Sequence, residues 1–362
     1  MAGDLVLVTG VSGYLGSHVV DRLVKEGYRV RGTVRAAKLA QNQKAFSAVY
    51  GDAVEVIAMD DLIKGIYPDA FKGVAAVIHV AAPLPAREAS AEVAISVAVD
   101  GSLNIFTQAE QAGVVNFSFA SSIITFNTGF PDGEARLLRN DEWIPITKEY
   151  VLSLEKPPAF VVYAAEKAEA ERAVWKFADE HPHVEVTTVN PPFFYGPFAP
   201  GHRGLFEGAT YSAQNASTMA TPFFHNMIRP DAPPPPPDFV DIRDVARALV
   251  ASLTAPPTSK VGRKRILLAS EVVQVRDIAS FIAKERPELA SRVSSIALNT
   301  EPNLKAVVDN LRLKEVLNLE PTPWTTTILD AVDALVKLEN HWKSRGVDIL
   351  ENVPTTGWLD IA

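Results

Sequence analysis

The chain has 362 residues, 47% of them hydrophobic and 22% charged, and 43 acidic against 35 basic side chains give a net charge of −8. These values are typical of a globular protein with a sizeable core in one large or two ordinary domains. The acidic balance argues against a nucleic-acid binder, which usually carries a basic surplus. The absence of cysteine excludes disulfides, thiolate catalysis and cysteine-ligated metals.

The chain shows no pattern typical of a targeting or membrane segment. Its first residues enter a strand pattern without the basic stretch and apolar core of a secretion signal. No apolar run approaches the roughly 20 residues of a membrane helix. We therefore expect a cytoplasmic protein that does not enter a membrane.

The first half alternates short β-branched runs with longer helical patterns. Strands are predicted over 5–9, 29–34, 54–58, 75–80, 116–120 and 184–189, and helices over 17–26, before the fifth strand, and over about 164–178. Near-continuous apolar strands separated by helices predict an α/β fold, a doubly wound parallel sheet covered on both faces.

The pattern changes after residue 190. Residues 191–240 are rich in Pro, Phe and Gly, and the run Pro233–Pro237 predicts a stiff connector or, alternatively, a motif for a proline-reading partner. A helix over 241–254 with Asp241 as its N-cap is predicted to return to the first sheet. A strand over 265–269 and helices near 275–286, 304–317 and 325–344 follow. We thus assign residues 1–190 and 241–262 to the nucleotide-binding domain, and 191–240 and 263–362 to a smaller mixed C-terminal substrate-binding region.

A glycine-rich turn joins the first strand to the first helix. It contains Thr9, Gly10, Ser12, Gly13, Tyr14, Leu15 and Gly16 in a G-x-x-G-x-x-G spacing. Such glycines allow a tight turn, a close approach of the backbone to a pyrophosphate, and close packing of helix on strand. The helix N-terminus then attracts phosphate. These residues predict a Rossmann-type dinucleotide site, with an ordinary strand-to-helix turn as the alternative.

The end of the second strand distinguishes the two nicotinamide cofactors. An enzyme that prefers NAD usually has an acidic residue there, whereas this chain has Arg35 and Lys38. A guanidinium can grip a 2′-phosphate through two hydrogen bonds. We therefore predict NADPH/NADP as cofactor, unless Arg35 is only a solvated surface residue.

Tyr163 and Lys167 are four residues apart on a predicted helix and share one face. A free tyrosine has a pKa of about 10, and a nearby ammonium is expected to lower it. Tyr163 could then give a proton to a carbonyl oxygen. Lys167 could also bind the cofactor by holding the nicotinamide ribose. Ser121 and Ser122 directly follow the fifth strand, where ligands of parallel sheets collect, and either hydroxyl could polarise that carbonyl.

Together these residues resemble the extended short-chain dehydrogenases/reductases over nearly the whole chain. The resemblance is carried by motifs in the family's order: the glycine turn, Ala81-Ala82, Ser121-Ser122, Tyr163-x-x-x-Lys167, Asn190 to Pro197, and Asp241 to Ala246. Within that family the chain is most similar to the dihydroflavonol-reductase group and its fungal carbonyl and aldehyde reductases, through stretches such as 30–35, 141–143 and 162–167.

The resemblance implies specific roles. It implies Ser122 as the catalytic serine beside Tyr163 and Lys167. It implies Asp61 and Leu62 near the adenine, Ala81, Ala82 and Pro191 along the cofactor, and Asn127 as a substrate contact.

Several aromatic and histidine residues allow two interpretations. Phe193 and Phe194 could line a substrate pocket or belong to the core, and Trp143 could close over substrate or pack. His181 and His183 lack the spacing of metal ligands on one helical face, so no metal site is predicted. His79 in a buried strand is interpreted as a core histidine with its hydrogen bonds satisfied.

The sequence as a whole predicts NADPH-dependent reduction of a small-molecule aldehyde or ketone by a monomer or homodimer. Nucleotide-sugar epimerases and dehydratases share the scaffold but usually carry acidic residues after the catalytic serine, where this chain has the apolar run 123–126. A regulator that senses NADPH without chemistry is a further alternative.

Overall fold

The computed structural model describes residues 3–82, 90–126, 136–202, 226–234, 238–301 and 306–346. The strands are β1 Leu5–Thr9, β2 Arg29–Val34, β3 Val54–Ala58, β4 Val74–His79, β5 Asn116–Ala120, β6 Arg136–Leu138, β7 Glu185–Asn190, β8 Phe193–Tyr195, β9 Phe239–Asp241, β10 Lys264–Leu267 and β11 Ala306–Val308. The α-helices are α1 Tyr14–Lys25, α2 Leu39–Tyr50, α3 Ala91–Gln111, α4 Lys148–Ser153, α5 Ala159–Glu180, α6 Ile242–Ala251, α7 Thr258–Val261, α8 Val275–Glu285, α9 Ser295–Leu298, α10 Leu311–Leu317 and α11 Trp324–Lys343.

A seven-stranded parallel sheet, in the order β10-β7-β5-β4-β1-β2-β3, forms the centre of the molecule. Side chains alternate along each strand, so Val6 and Val8 enter the core on one face while Leu5 and Leu7 enter the core on the other. Both faces are buried, which confirms the predicted doubly wound α/β fold.

Helices cover the two faces with separate apolar clusters. On one face α3 and α5 pack on the sheet, with Phe106 and Phe177 around Phe117. On the other face α1 and α6 pack together, and Val19 and Leu249 are fully buried in the same cluster. The sheet is therefore held as a rigid layer whose strand ends can carry a site.

The carboxyl ends of the strands meet at one edge of the sheet. Gly10 and Arg35 directly follow β1 and β2, and Ala81 and Ser122 lie two residues after the ends of β4 and β5. The strand order reverses between the neighbours β1 and β4, and open parallel sheets bind ligands at such a switch point.

A second core is built from the C-terminal helices. Buried residues of α8 and α11, among them Ile282 and Ile328, pack with Tyr195 of β8 and Phe239 of β9. Asp241 joins this core to the sheet because its carboxylate accepts the Arg243 N–H at 2.8 Å and the Thr327 hydroxyl at 3.0 Å. The predicted N-cap role of Asp241 at the start of α6 is confirmed.

Two predicted boundaries differ from the structure. β10 pairs in parallel with β7 and extends the main sheet, although the sequence reading placed it beyond the nucleotide-binding domain. The helix predicted over 304–317 begins only at Leu311, because the β-branched pair Val307-Val308 pairs with β6 and Asp309 then accepts the Leu311 N–H at 2.8 Å.

Two further expectations concern the proline run and membrane-spanning helices. Pro235–Pro237, the last three residues of the proline run, lie outside the described residues. Across the described ranges, no helix has both the length and the apolar character needed to span a bilayer.

Candidate active site

The turn after β1 is shaped by two glycines that leave no room for a side chain. Gly10 has a positive φ of 73°, and a Cβ there would lie 3.1–3.2 Å from Ala81. A Cβ on Gly16 would lie 2.9 Å from Val11 Cα and from the Gly10 carbonyl carbon. The turn thus brings the backbones of β1, β4 and α1 into close approach, as a cradle for a pyrophosphate requires.

Helix α1 presents its N-terminus to this cradle. It begins at Tyr14 with Gly13 as N-cap, and no side chain caps it. The first N–H groups of a helix lack intrahelical acceptors and attract anions. Ser12 is half-buried beside this end and Leu15 is buried. The shape and polarity of the turn therefore fit the phosphates of a dinucleotide.

The side chain of Tyr14 anchors α1 to the rest of the protein. Its hydroxyl donates to Gly196 O at 2.6 Å, and its ring lies 5.6 Å from that of Phe198. One turn later, burial lowers the pKa of His18 to about 4, and the neutral ring lies 2.9 Å from Pro197 O through Nε2. Both side chains fix the start of the helix against the segment after β8.

Thr9 joins the ends of β1 and β4. Its hydroxyl accepts the Val80 and Ala81 N–H groups, each at 3.0 Å, and donates to His79 Nδ1 at 2.9 Å. Ser102 donates its own proton to a carbonyl of α3, so it accepts from His79 Nε2 at 3.2 Å. Burial lowers the pKa of His79 to about 3. The prediction of a core histidine with satisfied hydrogen bonds is confirmed.

Arg35 lies at the end of β2 with an exposed side chain. Among the described residues its guanidinium makes no hydrogen bond or ion pair. Lys38 follows at the end of a short 3₁₀ turn and is half-buried. Asp60 supports this turn by accepting the Ala36 N–H at 2.8 Å. A guanidinium that the protein does not neutralise is suited to a phosphate.

The segment after β3 forms a second small turn. The Asp61 carboxylate accepts the N–H groups of Ile63 and Lys64, both at 2.9 Å. Leu62 is half-buried, and its carbonyl accepts from Asn104 of α3 at 2.9 Å. Asp61 and Leu62 thus lie beside the end of β3, and their turn is fixed by the protein itself.

The two serines after β5 have different partners. The Ser122 hydroxyl accepts the Ile124 N–H at 3.3 Å and lies beside Tyr163, where it opposes the rise in the pKa of that phenol. Ser121 donates instead to a buried Glu171 oxygen at 2.6 Å. Of the two candidates, Ser122 is the one that borders the tyrosine.

Lys167 lies one helical turn after Tyr163 on α5. Its Nζ donates to Ala120 O at 3.4 Å, at the end of β5. Burial lowers the pKa of Lys167 to about 8, while the nearby charges of Glu166 and Glu171 oppose this change. The structure therefore brings Ser122, Tyr163 and Lys167 to one strand end.

The predicted effect of Lys167 on its neighbour differs from the structure. Burial raises the pKa of Tyr163, Glu166 adds to the rise, and only the hydrogen bond with Ser122 opposes it. The prediction considered the helical spacing but not the desolvation of the phenol. A phenol with a raised pKa keeps its proton near neutral pH but is a weaker acid, so proton donation would depend on a group that stabilises the phenolate.

Three residues expected along the cofactor lie at the same edge. Ala81 is half-buried and Ala82 is exposed just after β4. Pro191 is buried after β7, and its carbonyl accepts the Ile123 N–H at 2.9 Å. Pro191 thereby connects the end of β7 to the turn that Ser122 begins.

The residues predicted to contact substrate are only partly described. Phe193 and Phe194 are half-buried neighbours on β8. Phe193 packs on the C-terminal core, whereas the Phe194 ring lies 6.2 Å from that of Tyr14. Both contribute to packing. Asn127 lies outside the described residues.

Two buried charged residues behind the serines were missed by the sequence reading. Glu171 is fully buried on α5, and Arg265 of β10 reaches it with Nε at 2.7 Å from Oε1. A signal for Glu171 exists, because it lies four residues after Lys167 on the same helical face. Arg265 is less visible in the sequence, where only its place directly before the apolar run 266–269 marks it.

The histidines near the end of α5 have ordinary partners. His181 Nδ1 lies 2.8 Å from Phe177 O, and His183 pairs with Glu110 at 2.9 Å. The described parts of the chain contain no group of three His, Asp or Glu side chains arranged to hold a metal.

Comparisons with known proteins agree with this architecture. Residues 6–267 match the model of the NAD dependent epimerase/dehydratase family. The chain is 34% identical over 271 residues to aldehyde reductase 2 of Sporidiobolus salmonicolor, covering 73% of this chain and 76% of that protein. It is 32% identical over 329 residues to ketoreductase adrE of Penicillium roqueforti, covering 87% and 90%.

Solved structures share the fold. Yeast methylglyoxal/isovaleraldehyde reductase Gre2, complexed with NADPH, superposes with a TM-score of 0.75 at 23% identity, covering 93% of this chain and 99% of that one. The family match spans most of the chain, and the resemblance seen in the sequence motifs is confirmed. The chain therefore belongs to the NAD-dependent epimerase/dehydratase family, the extended short-chain dehydrogenases/reductases.

Proposed function

We propose that this protein is an oxidoreductase that reduces an aldehyde or ketone to the alcohol with NADPH. The observation that carries the proposal is the grouping of Ser122, Tyr163 and Lys167 at the end of β5, where Ser122 acts on the pKa of Tyr163 and Lys167 Nζ donates to Ala120 O. The names of the similar proteins, an aldehyde reductase, a ketoreductase and a reductase complexed with NADPH, support the same reaction class.

The cofactor would be held by residues at the ends of β1 and β2. The turn from Gly10 to Gly16 and the N-terminus of α1 suit the pyrophosphate. Arg35 and Lys38 would bind the 2′-phosphate that distinguishes NADPH from NADH. When bound, NADPH supplies the hydride.

The chain's own residues supply the proton and the orientation of the substrate. The Ser122 hydroxyl would hydrogen-bond the carbonyl oxygen and hold it beside Tyr163. Tyr163 would donate its phenolic proton to that oxygen as negative charge develops there. Lys167 would stabilise the resulting phenolate by its charge.

A nucleotide-sugar epimerase or dehydratase is the alternative within the family. Such enzymes usually carry acidic residues just after the serine, where this chain has Ile123, Ile124 and Thr125. The Thr125 hydroxyl is fully buried and donates to Ser122 O at 3.0 Å. Purified protein carrying tightly bound NAD would favour this alternative.

The proposal is tested by following NADPH absorbance with purified protein and a panel of aromatic aldehydes, α-keto esters and β-keto esters. NADH is measured in parallel. We expect oxidation of NADPH well above that of NADH with at least one substrate. Direct binding of NADPH without turnover of any carbonyl compound would instead favour a sensor of the cofactor.

A further inference from the structure

A buried ion pair lies directly behind the proposed site. Glu171 is fully buried and Arg265 is 2% exposed. Desolvation of two charges can cost more than their attraction returns, unless other hydrogen bonds satisfy both groups. An apolar pair of similar volume would fold at least as well on this argument. The retained charges therefore call for a role besides stability.

The carboxylate of Glu171 holds the serine side of the site. It accepts hydrogen bonds from Ser121 at 2.6 Å, Asn190 at 2.7 Å, Arg265 at 2.7 Å, Thr188 at 3.0 Å and Trp175 at 3.3 Å. Asn190 also donates to the carbonyl oxygen of Ser122 at 3.3 Å. Glu171 thus reaches Ser122 through one intermediate side chain.

The guanidinium of Arg265 holds the same turn from the other side. Its Nη2 donates to the Thr125 hydroxyl at 2.8 Å, and that hydroxyl donates to Ser122 O. Its Nη1 donates to the carbonyls of Asn140 at 3.0 Å and Glu142 at 2.6 Å. One arginine therefore connects the serine turn to residues 140–144, which we call the 140–144 segment.

Aromatic stacking fixes the plane of this guanidinium. The Arg265 Cζ lies 3.6 Å from the centre of the Phe126 ring and 3.9 Å from that of the Trp143 ring. The Ile144 N–H donates to Thr125 O at 2.9 Å and closes the link between the two segments. A planar fork between two rings cannot be replaced by a lysine of equal charge.

We propose that Glu171 and Arg265 are positioning residues that set the place of Ser122 and of the 140–144 segment relative to Tyr163. The inference rests on the proposed function for its catalytic consequence. The pair touches neither the cofactor turn nor Arg35, so its role is confined to the carbonyl end of the site. Small displacements of a reacting group cost large factors in rate.

The first test is Glu171→Gln, which keeps the size of the side chain but removes its charge. Its amide N–H₂ group can only donate, and it would replace an oxygen that accepts hydrogen bonds from the surrounding donors. We expect kcat for carbonyl reduction to fall about 10- to 100-fold, with the KM for NADPH changed less than about 2-fold. Arg265→Lys should retain a higher kcat than Arg265→Met. The lysine keeps the positive charge and loses only the planar guanidinium with its stacking between the two rings, whereas the methionine loses the charge as well.

A neighbouring ion pair provides the control. Lys264 is the adjacent residue of β10, is 1% exposed, and pairs with Glu185 at 2.6 Å at the opposite end of β7. Glu185→Gln should lower the Tm less than Glu171→Gln, because Glu185 is 30% exposed, and should leave kcat within about 2-fold. Equal kcat losses in the two variants would mean that Glu171 acts through stability alone and would overturn the proposal.

Hydrogen exchange gives a readout that does not depend on turnover. In Glu171→Gln and in Arg265→Lys, amides of 120–126 and 140–146 should exchange faster, while those of 5–16 should not change. If the wild-type protein reduced no carbonyl compound, the proposed function would fail, yet this measurement would still decide the positioning role. Unchanged exchange in both segments would contradict it. Should Glu171→Gln not fold, Arg265→Lys carries the same comparison.

Discussion

The two halves of the ligand edge are built in different ways. After β1 and β2, the site consists of tightly packed backbone, a helix N-terminus and an exposed Arg35. After β5 and β7, it rests on buried polar side chains, above all Glu171 and Arg265, whose hydrogen bonds are satisfied within the protein. In the cofactor half, the exposed charge of Arg35 is thus available to a ligand. In the catalytic half, the charges of Glu171 and Arg265 hydrogen-bond to other parts of the protein and fix their positions.

This difference predicts how each half fails when it is altered. A change in the cofactor half should alter binding of one ligand and leave the chemistry intact. A change in the catalytic half should alter the rate and leave cofactor binding intact. Kinetic and unfolding measurements on single variants of each half separate these outcomes.

The largest effect is expected for Tyr163→Phe, which removes the proposed proton donor. Removal of a general acid costs about 10²- to 10⁴-fold in rate, so kcat for carbonyl reduction should fall by that order while the KM for NADPH stays unchanged. Steady-state kinetics measure both. Tyr150→Phe on α4, where the tyrosine is 51% exposed, serves as control and should be silent. Full activity of the Tyr163 variant would refute the proposed mechanism.

The next effect is expected for Arg35→Ala in the cofactor half. Loss of a charge-assisted contact to phosphate should raise the KM for NADPH by about 10- to 100-fold and leave that for NADH nearly unchanged. The ratio of the two KM values measures the effect. Arg29→Ala is the matched control, because Arg29 lies exposed at the opposite end of β2. An unchanged ratio would make Arg35 a surface residue.

Lys167→Met should lose activity but gain stability. Burial lowers the pKa of Lys167 to about 8, so the folded state holds its charge at neutral pH against a desolvation cost. The unfolded chain binds this proton more tightly, and wild-type stability should therefore rise relative to the variant between pH 8 and the ordinary lysine pKa of about 10.4. Thermal unfolding at pH 7 and pH 9.5 checks the sign. Lys176→Met, an exposed change on the same helix, should show neither effect.

The sequence predicts the parts of the molecule that are local in the chain. Apolar strands between helices predict the doubly wound sheet, and the spacing of Gly10, Gly13 and Gly16 predicts a turn that the structure then explains by close contacts. Tyr163 and Lys167 share a helical face because they are four residues apart. Each of these signals lies within a single element or one strand-to-helix connection.

The parts that could not be predicted depend on distant residues. Glu171 and Arg265 are 94 positions apart in the chain. β10 pairs with β7 in the sheet, and no local sequence pattern indicates that these two strands are neighbours. The raised pKa of Tyr163 likewise depends on burial by the whole fold and not on its helical neighbours. Sequence patterns thus point to the proposed reacting groups, while tertiary contacts set their burial and pKa.

The remaining effect is on stability rather than on activity, and it concerns the cofactor half on the acid side of the pH range. Burial lowers the pKa of His18 to about 4, and those of His79 and His202 to about 3. The unfolded chain protonates these rings near pH 6.5 and the folded chain does not, so stability should fall as pH drops from about 6.5 towards 4. His18→Gln keeps a donor for the Pro197 carbonyl but cannot titrate. Between pH 6.5 and pH 4, the free energy of unfolding of His18→Gln should therefore fall less than that of wild type, by on the order of 2–3 kcal/mol.

Urea unfolding of both proteins at pH 7 and pH 4.5 measures the difference. His183→Gln is the control, because that ring is 55% exposed and pairs with Glu110 at the surface. If the free energy of unfolding changed equally between pH 7 and pH 4.5 in wild type and in His18→Gln, His18 would take up its proton without losing its place at the start of α1. The start of α1 would then keep its contacts at acid pH, and the cofactor half would still differ from the catalytic half by its packed glycines, its uncapped helix N-terminus and Arg35.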